Sequence, residues 1–136
     1  MPDPIKPRCS PVAAANRYKR TVVRSVRYDG DDLVIEIQGS GFSFARVIFR
    51  DVEGFRVMDE RDLCEFWPEH SEPNGWLWRV HAEGWIDLER HRPLFNSPDV
   101  IAGLREYLLT DDGKCVSIMC VHPPEIVDVG AAPTDA

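Results

Sequence analysis

Alternating apolar and polar residues predict strands along most of the chain. The segments "RTVVRSVRY" and "LVIEIQG" each have a period of two, and the Asp-Gly turn between them predicts that they pair as a hairpin. "FSFARVIFRDV" and "GFRVM" continue the pattern as a third and a fourth strand. Further along, "LREYLL" and "CVSIMCV" predict a last hairpin, and its second strand is apolar on both faces, which is typical of a central strand.

Two stretches have helical spacing instead. In "DERDLCEFW", Leu63, Phe66 and Trp67 recur at i, i+3 and i+4, which predicts a short amphipathic helix with Asp59 as its N-cap. "SPDVIAG" begins with a serine that can cap a helix and a proline suited to the first turn. It predicts a second short helix that closes at Gly103.

All four tryptophans lie between residues 67 and 85. Trp76 and Trp78 alternate with Val80 on one face of the predicted strand "WLWRVHA", so we expect both rings in the core, together with Trp67. "AEG" then turns the chain into another predicted strand, "WIDLE". Its first residue, Trp85, shares a face with acidic residues, and we expect its ring to be partly exposed.

These elements predict an α+β domain with a mainly antiparallel, strongly curved β-sheet, barrel- or sandwich-like, and one or two short helices. We expect residues 1–16 to be a disordered, proline-rich arm, residues 17–129 to form the single globular domain, and residues 130–136 to be a flexible tail. The first 15 residues contain four prolines and no apolar signal region, and no apolar run is long enough to span a bilayer. We therefore expect a cytoplasmic protein.

Charge is distributed unevenly. Residues 1–27 carry seven basic residues and one acidic residue, a balance of +6, whereas residues 28–136 have a balance of −13. Such an acidic body should repel nucleic acid and attract a basic protein. The predicted partner-binding residues combine this charge with one tryptophan, and they are Asp59, Glu60, Asp62, Glu65, Trp85, Asp87 and Glu89.

No pattern of catalytic or metal-binding residues is apparent. The four cysteines contain no C-x-x-C pair and are expected to be free thiols, and the four histidines have no recognisable ligand spacing. We therefore predict no metal, no cofactor and a non-enzymatic role. One alternative is a small ligand-binding domain or enzyme with a pocket near Arg79, His81 and Trp85, and another is a structural homodimer.

Three stretches, "GFRVMDERDLCEFW", "WLWRVHAEGWIDLE" and "REYLLTDDGKCVSIMCVHPPEI", resemble small uncharacterised bacterial cytoplasmic proteins, some of them similar to immunity proteins that neutralise toxins. The resemblance spans residues 42–126, and its motifs consist of hydrophobic and turn residues, so it implies no catalytic residue. For the members similar to immunity proteins, it implies an inhibitor of a toxin. The small size, the acidic body and the absence of a catalytic pattern predict a non-enzymatic protein-binding module, monomeric or homodimeric, and the resemblance suggests an immunity-type inhibitor of a basic toxin or nuclease.

Overall fold

A computed structural model describes residues 6–66, 70, 74–111 and 113–130. Within these residues the chain forms nine strands and five short helical segments. The strands are β1 (Arg8–Pro11), β2 (Val22–Tyr28), β3 (Leu33–Gln38), β4 (Phe44–Phe49), β5 (Gly54–Asp59), β6 (Leu77–Ala82), β7 (Arg105–Thr110), β8 (Lys114–Cys120) and β9 (Glu125–Gly130). The helices are α1 (Trp85–Glu89) and α2 (Ser97–Val100), with 3₁₀ segments at Ala13–Ala15, Ser40–Phe42 and Glu60–Phe66.

The strands form two antiparallel sheets. The five-stranded sheet has the order β1-β6-β7-β8-β5, and the four-stranded sheet has the order β2-β3-β4-β9. Their inner faces share one core, in which Phe49 contacts Tyr107 with ring centroids 5.7 Å apart. The predicted antiparallel, strand-rich fold with short helices is therefore confirmed. The described strands form two open sheets, so the closed-barrel alternative is wrong.

The strand pattern is confirmed where alternation is clearest. β2 pairs with β3 and β7 with β8, as the two predicted hairpins require, and β3 also pairs with β4. Apolar residues at alternate positions of β3 and β4 fill the shared core. β8 lies between β7 and β5, and six of its seven residues are buried.

A second, smaller core lies on the outer face of the five-stranded sheet. Leu63 and Phe66 of the 3₁₀ segment Glu60–Phe66 pack there against residues of β6, β7 and β8. The predicted burial of these two side chains is confirmed, but the segment is not an α-helix, since Leu63 breaks it with φ −129° and ψ 39°. Asp59 ends β5, and its carboxylate accepts a hydrogen bond from the Arg61 N–H at 3.0 Å. Trp67 lies outside the described residues.

The expected disordered arm differs from the structure. Residues Arg8–Pro11 form the edge strand β1 against β6, and Ala15 and Tyr18 are buried in the shared core. Backbone carbonyls of these two residues accept hydrogen bonds from Trp76 Nε1 at 2.9 and 3.2 Å. A buried indole N–H needs an acceptor, and this need ties the segment to the domain. Residues 1–5 of the arm and 131–136 of the tail lie outside the described residues.

Two predictions for the tryptophan region are wrong in detail. Trp76 and Trp78 are both buried, as predicted, but they do not share a face: Trp76 precedes β6 and enters the shared core, whereas Trp78 faces the smaller core. Residues Trp85–Glu89 form the helix α1, not a strand. The helix α2 begins at Ser97 with Asn96 as its N-cap, one residue earlier than the expected cap at Ser97 would give, and it ends at Val100, before the expected end at Gly103. None of the described helices has the length and apolar character that crossing a membrane requires.

Candidate functional site

Helix α1 is held on the outer face of the five-stranded sheet by Glu106. The two oxygens of this carboxylate accept hydrogen bonds from the backbone N–H groups of Trp85, at 2.9 Å, and of Ile86, at 2.8 Å. The first N–H groups of a helix lack intrahelical partners, and a side chain normally satisfies them. Here a glutamate from β7 takes the place of a local N-cap residue, because the residue before the helix is Gly84.

The contact between Glu106 and α1 is close. Glu106 is only 2% exposed, and burial raises the pKa of its carboxyl group although its two backbone hydrogen bonds lower that pKa. A Cβ atom at Gly84 would lie 2.5 Å from Glu106 Oε2 and 2.5 Å from Val80 Cγ1. The absence of a side chain at Gly84 is therefore what allows the chain to approach the sheet.

Arg56 of β5 lies beside this helix. Its guanidinium group stacks over the Trp85 ring at 5.0 Å from the centroid, a cation–π contact. Burial lowers the pKa of Arg56, and the negative charges of Glu106, Glu65 and Glu89 act in the opposite direction. These charges place the guanidinium group among carboxylates from β7, from α1 and from the 3₁₀ segment.

The first group of predicted contact residues lies at the end of β5 and in the 3₁₀ segment that follows. Asp62 and Glu65 are exposed, whereas Asp59 and Glu60 are partly buried. Burial raises the pKa of Cys115 to about 12, and the charges of Glu60, Asp111 and Asp59 add to this effect. The acidic residues of the segment therefore produce a negative potential over this part of the outer face.

The second group lies in α1, where arginines compensate its carboxylates. Asp87 pairs with Arg90 at 3.2 Å and Glu89 pairs with Arg92 at 2.6 Å, each at i, i+3 spacing. The Arg92 hydrogen bond lowers the pKa of Glu89. The structure thus brings both groups to one face of the molecule, but α1 adds less negative charge than its sequence suggests.

Trp85 lines a groove of about 490 Å³ between α1, α2 and the start of β5. Apolar side chains on its walls include Leu94, 88% exposed, and Val100, 75% exposed, and its charged side chains are Glu53, Glu89 and Arg92. Trp85 itself is partly exposed, as predicted. Neither Leu94 nor Val100 was a predicted contact residue, although both are large apolar residues in a segment of mainly polar and turn residues.

The predicted pocket residues are not all together. Arg79 and His81 line one pocket of about 130 Å³ at the end of β6, with Arg105 and Glu106 of β7 and with Arg90, which follows α1. Trp85 does not line this pocket and lies in the groove on the other side of α1. His81 Nε2 is 2.7 Å from the Ser10 hydroxyl oxygen of β1.

The thiols and the possible metal ligands show no reactive cluster in the part of the chain that the structure describes. Cys115 and Cys120 are free thiols, and burial raises the pKa of each to about 12. Such thiols remain protonated and unreactive near neutral pH. No group of three or more histidine, cysteine, aspartate and glutamate side chains is placed to bind a metal ion there.

The two residues that organise the site, Arg56 and Glu106, were not predicted. Arg56 is the one charged residue of the short run "FRVM", and Glu106 begins the apolar run "EYLL" directly after Arg105. A charge in such a position needs a partner if the strand is covered. That signal is visible in the sequence, but the identity of the partner is not.

Comparisons of the chain with protein-family models, with curated proteins and with solved structures found no match. The function is therefore inferred from the geometry and charge of this chain alone.

Proposed function

We propose that this protein is a non-enzymatic binding module that captures a basic protein partner on the outer face of its five-stranded sheet, in the manner of an immunity-type inhibitor of a basic toxin or nuclease. The observation that carries the proposal is the groove beside α1, where exposed apolar side chains lie next to carboxylates. The acidic 3₁₀ segment Glu60–Phe66 covers the same face of the sheet.

The groove supplies the apolar contact that protein recognition needs. Leu94 and Val100, which both line the groove, are 88% and 75% exposed, and Leu88, on another side of α1, is 56% exposed. Large apolar side chains scattered singly on a surface are ordinary, but a contiguous group indicates a contact surface. Trp85, at the groove wall under Arg56, combines an aromatic ring with a nearby arginine, the residue types most enriched at binding hot spots.

The acidic segment supplies the charge that selects a basic partner. Asp62 and Glu65 are exposed, and they lie in the part of the chain that carries the −13 balance. Charge at the rim of an interface mainly speeds association and repels wrong partners, whereas buried apolar contacts mainly slow dissociation. We therefore expect the acidic segment to control the association rate and the groove to control the lifetime of the complex.

The groove is tested by affinity capture from a lysate of the source cells with wild type, a Leu94→Ser, Val100→Ser double variant, and Phe42→Ser as the matched control. Phe42 is 81% exposed in the 3₁₀ segment Ser40–Phe42, before β4, so the control removes an equally exposed apolar side chain elsewhere. We expect a basic protein to be retained by wild type and Phe42→Ser, and lost with the double variant. Equal retention by all three proteins would reject the groove as the binding site.

Light scattering of the same samples separates partner binding from self-association. A wild-type dimer that the double variant converts to a monomer would assign the groove to a homodimer instead.

The charge is tested with the captured partner by measuring association rates at low and high salt. A pair of reversals at Asp62 and Glu65 to lysine should slow association at least about tenfold at low salt, with little change at high salt. Reversal of Asp31 and Asp51, two exposed aspartates near the β2–β3 and β4–β5 turns, changes the net charge equally and is the matched control. Equal slowing by both pairs would show that net charge alone acts, and would remove the acidic segment from the proposal.

A further inference from the structure

We propose that the pocket at the end of β6 and β7 binds a small phosphate-type oxyanion, either free phosphate or the phosphate group of a small molecule. The pocket has a volume of about 130 Å³. Its charged or titratable lining residues come from β6, from β7, from α1 and from the residue after α1, and they are Arg79, His81, Asp87, Arg90, Arg105 and Glu106.

Both carboxylates of the pocket are already bound by neighbouring groups of the chain. Glu106 accepts the N–H groups of Trp85 and Ile86, one on each oxygen. Asp87 accepts the Glu83 N–H at 2.7 Å on one oxygen and Arg90 Nε at 3.2 Å on the other. Each of the four carboxylate oxygens thus already accepts one hydrogen bond from α1 or the residues beside it, and neither carboxylate forms a salt bridge with Arg79 or Arg105 in the described part of the chain.

Two arginines of the pocket are left without an acidic partner. Neither Arg79 nor Arg105 forms a salt bridge with any residue that the structure describes, although both are partly buried. β6 and β7 are antiparallel, with Arg79 opposite Tyr107, so Arg105 lies two residues from that register position on the neighbouring strand. Partly buried guanidinium groups are stabilised by an anion that they can bind through several N–H groups.

Strand β1 borders the pocket. The Ser10 hydroxyl oxygen lies 2.7 Å from His81 Nε2, and Arg8 is in backbone register with Ala82, which lines the pocket. A local group of cations is the opposite of the acidic body around it, so it is not a consequence of composition. A site of this size holds a few water molecules or one tetrahedral oxyanion, since a water molecule occupies roughly 30 Å³ in the liquid.

The anion pocket is separate from the proposed protein-binding groove. Trp85, Leu94 and Val100 line the groove and do not line the pocket. Helix α1 lies between the groove and the pocket. Loss of partner capture would therefore leave anion binding unchanged, and the failure of either proposal can be recognised independently of the other.

The test is an NMR titration of the ¹⁵N-labelled full chain with inorganic phosphate, glycerol 3-phosphate and acetate. We expect saturable shifts of the Arg79 and Arg105 Nε–H signals and of the His81 ring with both phosphate probes. Arg79→Gln and Arg105→Gln should each weaken phosphate binding by about tenfold or more, the usual effect of removing one charge-assisted hydrogen bond. Arg24→Gln, at an exposed position of β2 and remote in the topology, is the matched control and should leave binding unchanged.

Each outcome decides a point. Tighter binding of glycerol 3-phosphate than of phosphate would assign the site to a small phosphomonoester, and equal binding would assign it to free phosphate. Acetate binding as tightly as either would overturn the phosphate assignment. Absence of saturation at about 50 mM probe, far above the dissociation constant of even a weak specific site, would overturn the site itself. So would equal weakening by Arg24→Gln. Unchanged amide shifts of α1 in the two pocket variants show that a loss of binding is not a loss of fold.

Discussion

Glu36 and Glu106 both project from the outer face of a sheet towards arginine, yet their surroundings differ. Glu36 of β3 accepts hydrogen bonds from Arg27, at 3.4 Å, and Arg46, at 3.2 Å, on neighbouring strands, and a quarter of its side chain is exposed. Glu106 of β7 is 2% exposed, and its closest partners are the backbone N–H groups of α1. The same side chain is a surface ion-pair member on one sheet and a buried helix anchor on the other.

The difference arises from what covers each face. The outer face of the four-stranded sheet carries its charges into solvent, where ion pairs between side chains contribute little to stability. The outer face of the five-stranded sheet lies beneath the 3₁₀ segment Glu60–Phe66 and α1, so a charge there is desolvated and must be satisfied by specific hydrogen bonds. Because both proposed binding surfaces border α1, the anchor at Glu106 determines their geometry as well as the stability of the fold.

The largest expected effect is that of Glu106→Ala against Glu36→Ala. Removing the buried carboxylate leaves two backbone N–H groups without acceptors and a cavity, so we expect the free energy of unfolding to fall by about 2–5 kcal/mol. Glu36→Ala should lower it by about 1 kcal/mol or less. Urea unfolding at neutral pH measures both values. Equal losses in the two variants would mean that coverage by α1 does not distinguish the two faces.

A smaller decrease in the free energy of unfolding is expected from Gly84→Ala. The added methyl group would lie 2.5 Å from a Glu106 oxygen and from Val80, so α1 must move away from β7, at a cost of about 1–3 kcal/mol. Gly113→Ala is the matched control, because a Cβ atom there has no neighbour within 4 Å, and it should leave stability unchanged or raise it by about 0.4–1 kcal/mol. Hydrogen exchange of the Trp85 and Ile86 amides tests the mechanism directly. Exchange in Gly84→Ala as slow as in wild type would contradict the displacement of the helix.

Where apolar and polar residues alternate over a long segment, the sequence predicts the strand and its buried face. Leu33, Ile35 and Ile37 occupy every second position of β3, and all three lie in the shared core. The pattern needs no distant partner to be interpreted, because a strand with one buried face imposes a period of two whatever covers it.

Prediction from the sequence fails for the short segments, because the residues that determine their structure are remote in the sequence. The five residues of "WIDLE" fit both the period of a strand and the period of a helix. Glu106, twenty residues after Ile86, favours the helix by accepting its first N–H groups. β1 has only four residues with no alternation, and its pairing with β6 becomes visible only in three dimensions. The candidate sites share this limit. Asp87 and Glu89 can be identified as acidic from the sequence, but the arginines that pair with them and the unpaired Arg79 and Arg105 are distinguished by geometry.

The smallest expected effect is a pair of opposite pH dependences at α1, measured with Glu106→Gln and Glu89→Gln. Burial raises the pKa of Glu106 above its ordinary value of 4.5, so the folded state holds this proton more tightly than the unfolded state. The stability advantage of wild type over Glu106→Gln should therefore be greatest below pH 4.5 and fall as the pH rises through the folded-state pKa. The hydrogen bond from Arg92 lowers the pKa of Glu89 below 4.5, so the advantage over Glu89→Gln should be greatest above pH 4.5 and fall as the pH decreases. Urea unfolding from about pH 3 to pH 7 gives both differences, and each variant serves as the control for the other, since both remove one carboxylate that contacts α1. If both stability advantages changed in the same direction with pH, the pKa values of Glu106 and Glu89 would not be shifted in opposite directions. The contrast between the buried carboxylate and the ion-paired one would then be wrong.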